Sequence, residues 1–502
     1  MPESESMLKK QNILLVWALF IGLLFNYLFS GKPTGVSFPI FTVAFYLFFI
    51  LNMKGLLQRR ERAAGWLLLI PVLALSATYA IYAPNFFWII NFLLLPALIV
   101  FHTEIIFAGG ASNLFSIGRL ISSFANRFGF TLAGFFISFS VVGRSLRQKG
   151  DKERFSVLKK ILVGIIIAVP FLLLVIYLLS SADQVFAYYF KQIAYIQINV
   201  SLGDVLLVIL IAFLSFGFVF SFWKQKEREE QLKAKMQAVE ANAPQNQAGN
   251  APVPEIKKWD PITVLTFLLL LNAVYAVFAA IQFSYLFGVS GLALPAGYTY
   301  AEYARRGFFE LIVVSVLNFG MLLIVIGAVC KKNRVALGVI QGLLVLMAIS
   351  TAVILTSAHL RLSLYEQAYG FTFLRVIAHV FMAYIAGLLI ISLVKIFRYT
   401  IKLNQVFFIV SAVFYLAINY ANIDGFIARK NIDRYLALGK LDQAYLLSLS
   451  NNAAPQLARL LDDEDRIIAG AIRADLNWRR AALPDHWQSF NLADYRLSKI
   501  RE

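Results

Sequence analysis

One cysteine, four histidines and 15% charged residues are all that 502 positions supply of the usual chemistry-bearing side chains. A lone Cys330 cannot close an internal disulfide, and its place beside Lys331 and Lys332 at an expected helix end carries no redox or metal signal. His102, His359, His379 and His486 are too scattered for a zinc site of ordinary spacing. His102 and Glu104 in FHTEIIF form a His-x-Glu pair, but the Pro-Cys-x-x-Cys that completes a zinc deaminase is missing. So are a Walker phosphate loop, a Gly-x-Ser-x-Gly elbow and a His-Glu-x-x-His helix. ATP-driven pumping and the common hydrolase chemistries are unsupported, and no cofactor or metal is expected. Soluble domains carry about 25% charged residues, so the shortage of charge also excludes a soluble enzyme, a coiled coil and a disordered chain.

What is present is apolar: 60% hydrophobic and 15% aromatic residues. They gather in blocks near 12–30, 36–52, 66–83, 86–107, 158–180, 202–223, 261–287, 307–329, 335–357, 372–394 and 403–420. Such blocks match the roughly 20 residues needed to span a hydrocarbon core of about 30 Å, and backbone satisfaction in lipid makes them helices. The first is long enough to stay as a span instead of being cleaved as a signal peptide. The expected fold is all-α, a polytopic transmembrane helix bundle of about 11 spans. A stretch over 112–142 is ambiguous, because Arg119, Arg127 and several Ser and Asn residues interrupt it. An interfacial or re-entrant helix is preferred there over a twelfth span.

The formal charge of +18 would suggest nucleic acid in a soluble protein, but in a polytopic chain it reads as orientation, and no nucleic acid is expected. With the N-terminus inside, the inner segments hold 28 of the 46 Lys and Arg, the outer loops hold 6, and 12 lie beyond residue 420. That contrast favours N-in and C-out with an odd number of spans, and it argues against a twelfth. Four regions follow. Residues 1–223 form an N-terminal membrane half of about six spans with the interfacial region 112–142. Residues 224–260 form a charged, then Pro/Ala/Asn/Gln-rich, cytoplasmic linker, and 261–420 form a second half of five spans. Residues 421–502 form a small helical domain outside the membrane, with Gly439 as a helix stop.

A charge at membrane depth costs about 2.5–3.5 kcal/mol on insertion scales, so each one marks a place to look. In YTYAEYARRGFFEL, 298–311, Glu302, Arg306 and Glu310 share a helix face at four-residue spacing while Arg305 points elsewhere. In HLRLSLYEQAYGFTFLRVIAH, 359–379, His359, Arg361, Tyr365 and Glu366 fall in the expected loop after the ninth span, with Arg375 and His379 entering the tenth. Asp183 closes the fifth span, and NIDGFIARKNIDRY contributes Asp424, Arg429 and Arg434. The topology brings Asp183, Glu302, Arg305, Arg306, Glu310, Arg361, Tyr365, Arg375, His379, Asp424, Arg429 and Arg434 to one outer surface. That surface is either a docking interface for the terminal domain or a polar, anion-binding vestibule.

Four of these segments, SADQVF at 181–186, YAEYARRGFFEL at 300–311, RLSLYEQAYGFTFLR at 361–375 and NIDGFIARKNIDRY at 422–435, carry a resemblance. The chain from the fifth span onward resembles an uncharacterised family of bacterial multipass inner-membrane proteins, one of the families with a domain of unknown function. The resemblance implies a bacterial inner-membrane location and a variable N-terminal half, and no substrate, activity or cofactor. The residues themselves favour an accessory, sensor or scaffold protein, with the bilayer around it and 421–502 available to a protein partner. A permease for a small solute, its outer mouth near 302–310 and 361–375, is the alternative. A membrane enzyme on a lipid-linked substrate fits less well, since the first outer loop, GKPTG, has no acid.

Overall fold

A computed structural model describes residues 2–54, 63–108, 117–147, 202–242, 260–286, 308–328, 334–398 and 400–500, and every regular element among them is helical. Among these described residues eight helices are long and apolar enough to cross a membrane, or nine if the pair 403–419 and 423–438, bent by 55°, counts as one. The chain divides into two compact units, Met1–Asn246 with Leu483–Leu492 and Gln247–Ala482 with Ala493–Glu502.

The first unit contains α1 (Pro2–Phe29), α2 (Ser37–Asn52), α3 (Leu69–Ile81), α4 (Phe86–Ala108), α5 (Ile117–Arg147) and α6 (Leu202–Asn242). At about 1.5 Å per residue, α2 and α3 are shorter than a hydrocarbon core, while α6 runs well beyond one and carries the KQKEREEQLKAKMQ stretch without a break. The core is aromatic: Phe48 and Phe49 of α2 meet Phe216, Phe218 and Phe222 of α6 against Leu14, Ala18 and Ile21 of α1.

α5 covers most of the stretch expected as an interfacial or re-entrant helix. It packs lengthwise and antiparallel on α6, with Arg127 bonded to Gln225, Gly134 against Gly217, and the Phe139 and Phe213 rings 4.5 Å apart. A Cβ on Gly134 would lie 2.6 Å from the Gly217 Cα, so the two backbones approach as small-residue helix interfaces in membranes do. Its stretch Phe124–Arg144 also meets the length and apolarity of a span. Arg127 and Arg144 therefore lie toward opposite ends of α5. Arg127, which interrupts the apolar stretch in sequence, finds its partners through packing. The 158–180 block lies outside the described residues.

The segment 483–492 belongs to this unit. The Val36 amide donates to the Phe490 carbonyl at 2.8 Å, and Ser489 Oγ donates to the Pro33 carbonyl at 2.6 Å. It thus covers the turn between α1 and α2, at the end of α1 away from the N-terminus.

The second unit contains α7 (Pro261–Leu286), α8 (Phe308–Ala328), α9 (Arg334–Tyr369), α10 (Phe373–Phe397), α11 (Leu403–Asn419), α12 (Ile423–Leu438) and α13 (Arg466–Ala481). One core cluster joins Val264, Leu268, Leu322, Val325, Leu344, Met347 and Leu389. A second, toward the α9–α10 turn, joins Ile312, Leu355, Leu362, Met382 and Ile385. Asn272, Tyr275, Asn318 and Thr351 form the polar part of the bundle between them: Tyr275 Oη donates to Asn318 Oδ1, and Asn318 Nδ2 donates to Thr351 Oγ1 at 3.1 Å. α9 has 36 residues, about 54 Å at 1.5 Å per residue. Residues 359–369, expected as a loop, are instead its last turns, because nothing between Ala358 and Tyr369 breaks a helix.

Beyond α11, Ile423, Ile427, Ile432, Leu446, Leu457, Ile472 and Leu476 form a small core. Gly439, the expected helix stop, closes α12 with φ 67°. Arg479 is 7% exposed and is held by Asp475 and by the carbonyls of Leu447 and Leu449.

Candidate functional site

The site in the second unit is built on the α9–α10 hairpin. Gly370 at its tip has φ 82°, a left-handed backbone that glycine adopts without steric cost, and a Cβ there would stand 2.8 Å from Asn431 Oδ1. Asn431 of α12 pairs with both backbone groups of Phe371. Its Oδ1 accepts from the amide at 2.7 Å and its Nδ2 donates to the carbonyl at 2.8 Å.

The last carbonyls of a helix have no intrahelical donor. At the end of α9, Arg434 supplies one, its Nε donating to Gln367 at 3.2 Å and its Nη2 to Ala368 at 2.7 Å. A cation there also suits the negative end of the helix dipole. At the start of α10, the Phe373 amide donates to Tyr445 Oη at 2.7 Å. Burial pushes the Tyr445 phenol above its ordinary value, so it stays un-ionised as an acceptor. Arg375 donates to the Gly370 carbonyl and lies 4.1 Å from the Tyr365 ring centroid, a cation–π contact. The hairpin tip is therefore clamped from α12 and its neighbour at three successive points.

Beside the clamp, His359 and His379 face each other, Nδ1 to Nδ1, at 2.8 Å. His379 Nε2 meets Glu366 Oε2 at 3.0 Å. Glu366 is only 4% exposed. Among the described residues, no group of three or more His, Cys, Asp or Glu could hold a metal ion.

Of the residues singled out in the sequence, Tyr365, Arg375, His379 and Arg434 converge on this hairpin. Arg361 lies on α9 before it, half-buried. Asp424 faces the terminal core and accepts from Ser450, not from the basic residues expected to pair with it. Arg429 is exposed, 5.8 Å from the Phe426 ring centroid. Glu310 is exposed in the first turn of α8. Asp183, Glu302, Arg305 and Arg306 lie outside the described residues, and with them most of the Glu–Arg–Glu ladder. Sequence reading missed Asn431, Gly370 and Tyr445. The one available signal was Gly370, a lone glycine between two apolar helical runs.

The first unit holds a second polar constellation. The Arg127 guanidinium is 1% exposed and lies 3.4 Å from the Phe222 ring centroid. It pairs with Glu104 and donates to Ser221 Oγ at 2.7 Å and Gln225 Oε1 at 2.6 Å. On the same α4 turn, His102 Nδ1 meets Tyr46 Oη at 2.9 Å. The charge is neutralised and its donors are occupied, which suits a brace between α4, α5 and α6.

Long apolar helices, buried polar groups paired inside the bundle and a helical appendage define a multipass, all-α membrane protein. The chain belongs to the family described as Domain of unknown function (DUF4153), whose model matches residues 69–460. No curated protein and no solved structure matches it. The match starts at α3, so the family likeness reaches further toward the N-terminus than the fifth span from which the motifs suggested it.

Proposed function

We propose that this protein is an accessory or scaffold component of the bacterial inner membrane, with the helical region 421–502 presented on the outer side to a protein partner. The observation that carries this reading is the clamp. Asn431, Arg434 and Tyr445 hold the α9–α10 tip through five hydrogen bonds to backbone groups, so the appended helices are fixed to the bundle and do not swing on a tether. A rigid appendage suits a docking platform, because a partner then meets a pre-organised surface. The excess of Lys and Arg on the inner loops supports N-in. Packing of 483–492 on the α1–α2 turn supports the opposite side for that segment.

The test is co-purification from native membranes of the full chain and of an Asn431→Ala/Arg434→Ala variant. A stoichiometric partner should be retained by the first and lost by the second, with the bundle equally stable in both. A full chain that purifies without a partner overturns the reading.

Permease activity is the second reading, favoured by Asn272, Tyr275, Asn318 and Thr351 in the middle of α7, α8 and α9, where buried polar groups are costly. Solute flux in proteoliposomes that is abolished by Asn318→Leu, while the clamp variant transports normally, would decide for it.

A further inference from the structure

Three titratable side chains of the α9–α10 hairpin, His359 and Glu366 on α9 and His379 on α10, are used neither by the clamp nor by the apolar core. His359 is exposed, the His379 side chain is 18% exposed, and that of Glu366 is 5% exposed. They form one chain from outside to inside, His359 Nδ1 to His379 Nδ1 at 2.8 Å and His379 Nε2 to Glu366 Oε2 at 3.0 Å. At its inner end Glu366 Oε1 is buried with no hydrogen-bond partner among the described residues. The chain thus runs from an exposed imidazole to a buried carboxyl group, the geometry that passing a proton inward requires.

We propose that His359, His379 and Glu366 form a proton-binding relay, taking one proton at the exposed imidazole of His359 and storing it on the buried carboxyl of Glu366. The hydrogen-bond arithmetic permits this with no atom moving far. Each gap holds one proton. In the empty state, His359 donates through Nδ1 to His379, and His379 donates through Nε2 to ionised Glu366. A proton arriving at Nε2 of His359 makes that ring cationic. Its Nδ1 proton crosses to His379 Nδ1, and the Nε2 proton of His379 crosses to Glu366 Oε2. Both imidazoles end neutral in the opposite tautomer, the carboxyl ends neutral, and the chain has gained one proton. The two unprotonated nitrogens, His359 Nδ1 and His379 Nε2, then each accept a hydrogen bond within the chain, so neither is open to a second proton from outside.

The charges bearing on His359 are those of His379 and Glu366. Among the described residues, the other ionisable groups on the surrounding elements include Glu310 of α8, Arg361, Tyr365 and Tyr369 of α9, Arg375 and Tyr384 of α10, and Arg434 and Tyr445 beyond α11. Arg375 is committed to the Gly370 carbonyl and the Tyr365 ring, and Arg434 to Gln367 and Ala368. Unlike the clamp, the relay needs no partner, so it stands whether or not the scaffold reading does.

The test uses the full chain in lipid nanodiscs, with infrared difference spectra and proton-uptake measurements across the histidine titration range. The wild type should take up one proton with loss of an ionised carboxylate band and gain of a buried protonated one. Glu366→Gln should abolish both band changes. His359→Gln, at an exposed position, should slow the carboxyl signal while unfolding at the same temperature as the wild type. If Glu366→Gln does not fold, the wild-type band and the His359→Gln rate decide the matter alone. A carboxyl signal that His359→Gln leaves unchanged in rate overturns the proposal. So does stoichiometric Zn2+ binding that His359→Gln and His379→Asn both abolish, since the pair would then be metal ligands.

Discussion

Arg127 is the most exacting single residue in the first unit. Buried at 1% exposure, it is tolerable only because Glu104, Ser221, Gln225 and the Phe222 ring surround it. Removing one member of a buried pair leaves the other uncompensated, which costs about 3–5 kcal/mol, whereas replacing both by apolar groups costs far less. Glu104→Leu should therefore lower stability by about that amount, and Arg127→Met/Glu104→Leu should recover most of it, as read by denaturant unfolding in micelles. Equal losses in the single and double variants would show that the two charges are not coupled. Gly370 is exacting for another reason. Gly370→Ala places a Cβ 2.8 Å from Asn431 Oδ1 at φ 82°. A left-handed non-glycine residue costs about 1–2 kcal/mol, so the variant should unfold earlier and release Asn431 from Phe371, visible as faster amide exchange at 371–373.

At the scale of elements, the decisive pairing is α5 with α6. Gly134 and Gly217 let the backbones meet, and a leucine at either would need space that is filled. Gly217→Leu should destabilise by about 1–3 kcal/mol, the usual cost of overpacking. The antiparallel register has its own check. In a Cys330→Ser background, Phe139→Cys with Phe213→Cys should cross-link on mild oxidation, because those rings are 4.5 Å apart, while Phe139→Cys with Phe222→Cys should not. No cross-link in the first pair would overturn the antiparallel register of α5 on α6.

For the whole molecule, the segment 483–492 makes a statement about sidedness. Its hydrogen bonds to Val36 and Pro33 fix it at the far end of α1 from residue 9. A membrane-impermeant thiol reagent should label Trp487→Cys from one side of sealed vesicles and Lys9→Cys only from the other. Labelling of both from the same side would contradict α1 as a span. The family match over 69–460 covers helices of both units but neither α1 nor the 483–492 segment.

Composition and block length alone determined that this is a multipass helical protein, because lipid admits a spanning chain only when its backbone is satisfied within helices. The residues of HLRLSLYEQAYGFTFLR were marked by their cost at membrane depth, a property each side chain carries by itself. Pairing is not such a property. Arg127 read as an interruption because Glu104, Ser221 and Gln225 lie 23, 94 and 98 positions away in sequence. Asn431 gave no signal because its role depends on a backbone 60 residues distant. Sequence set the class, a multipass helical bundle, and tertiary contact decided which charges could be buried within it and what they hold.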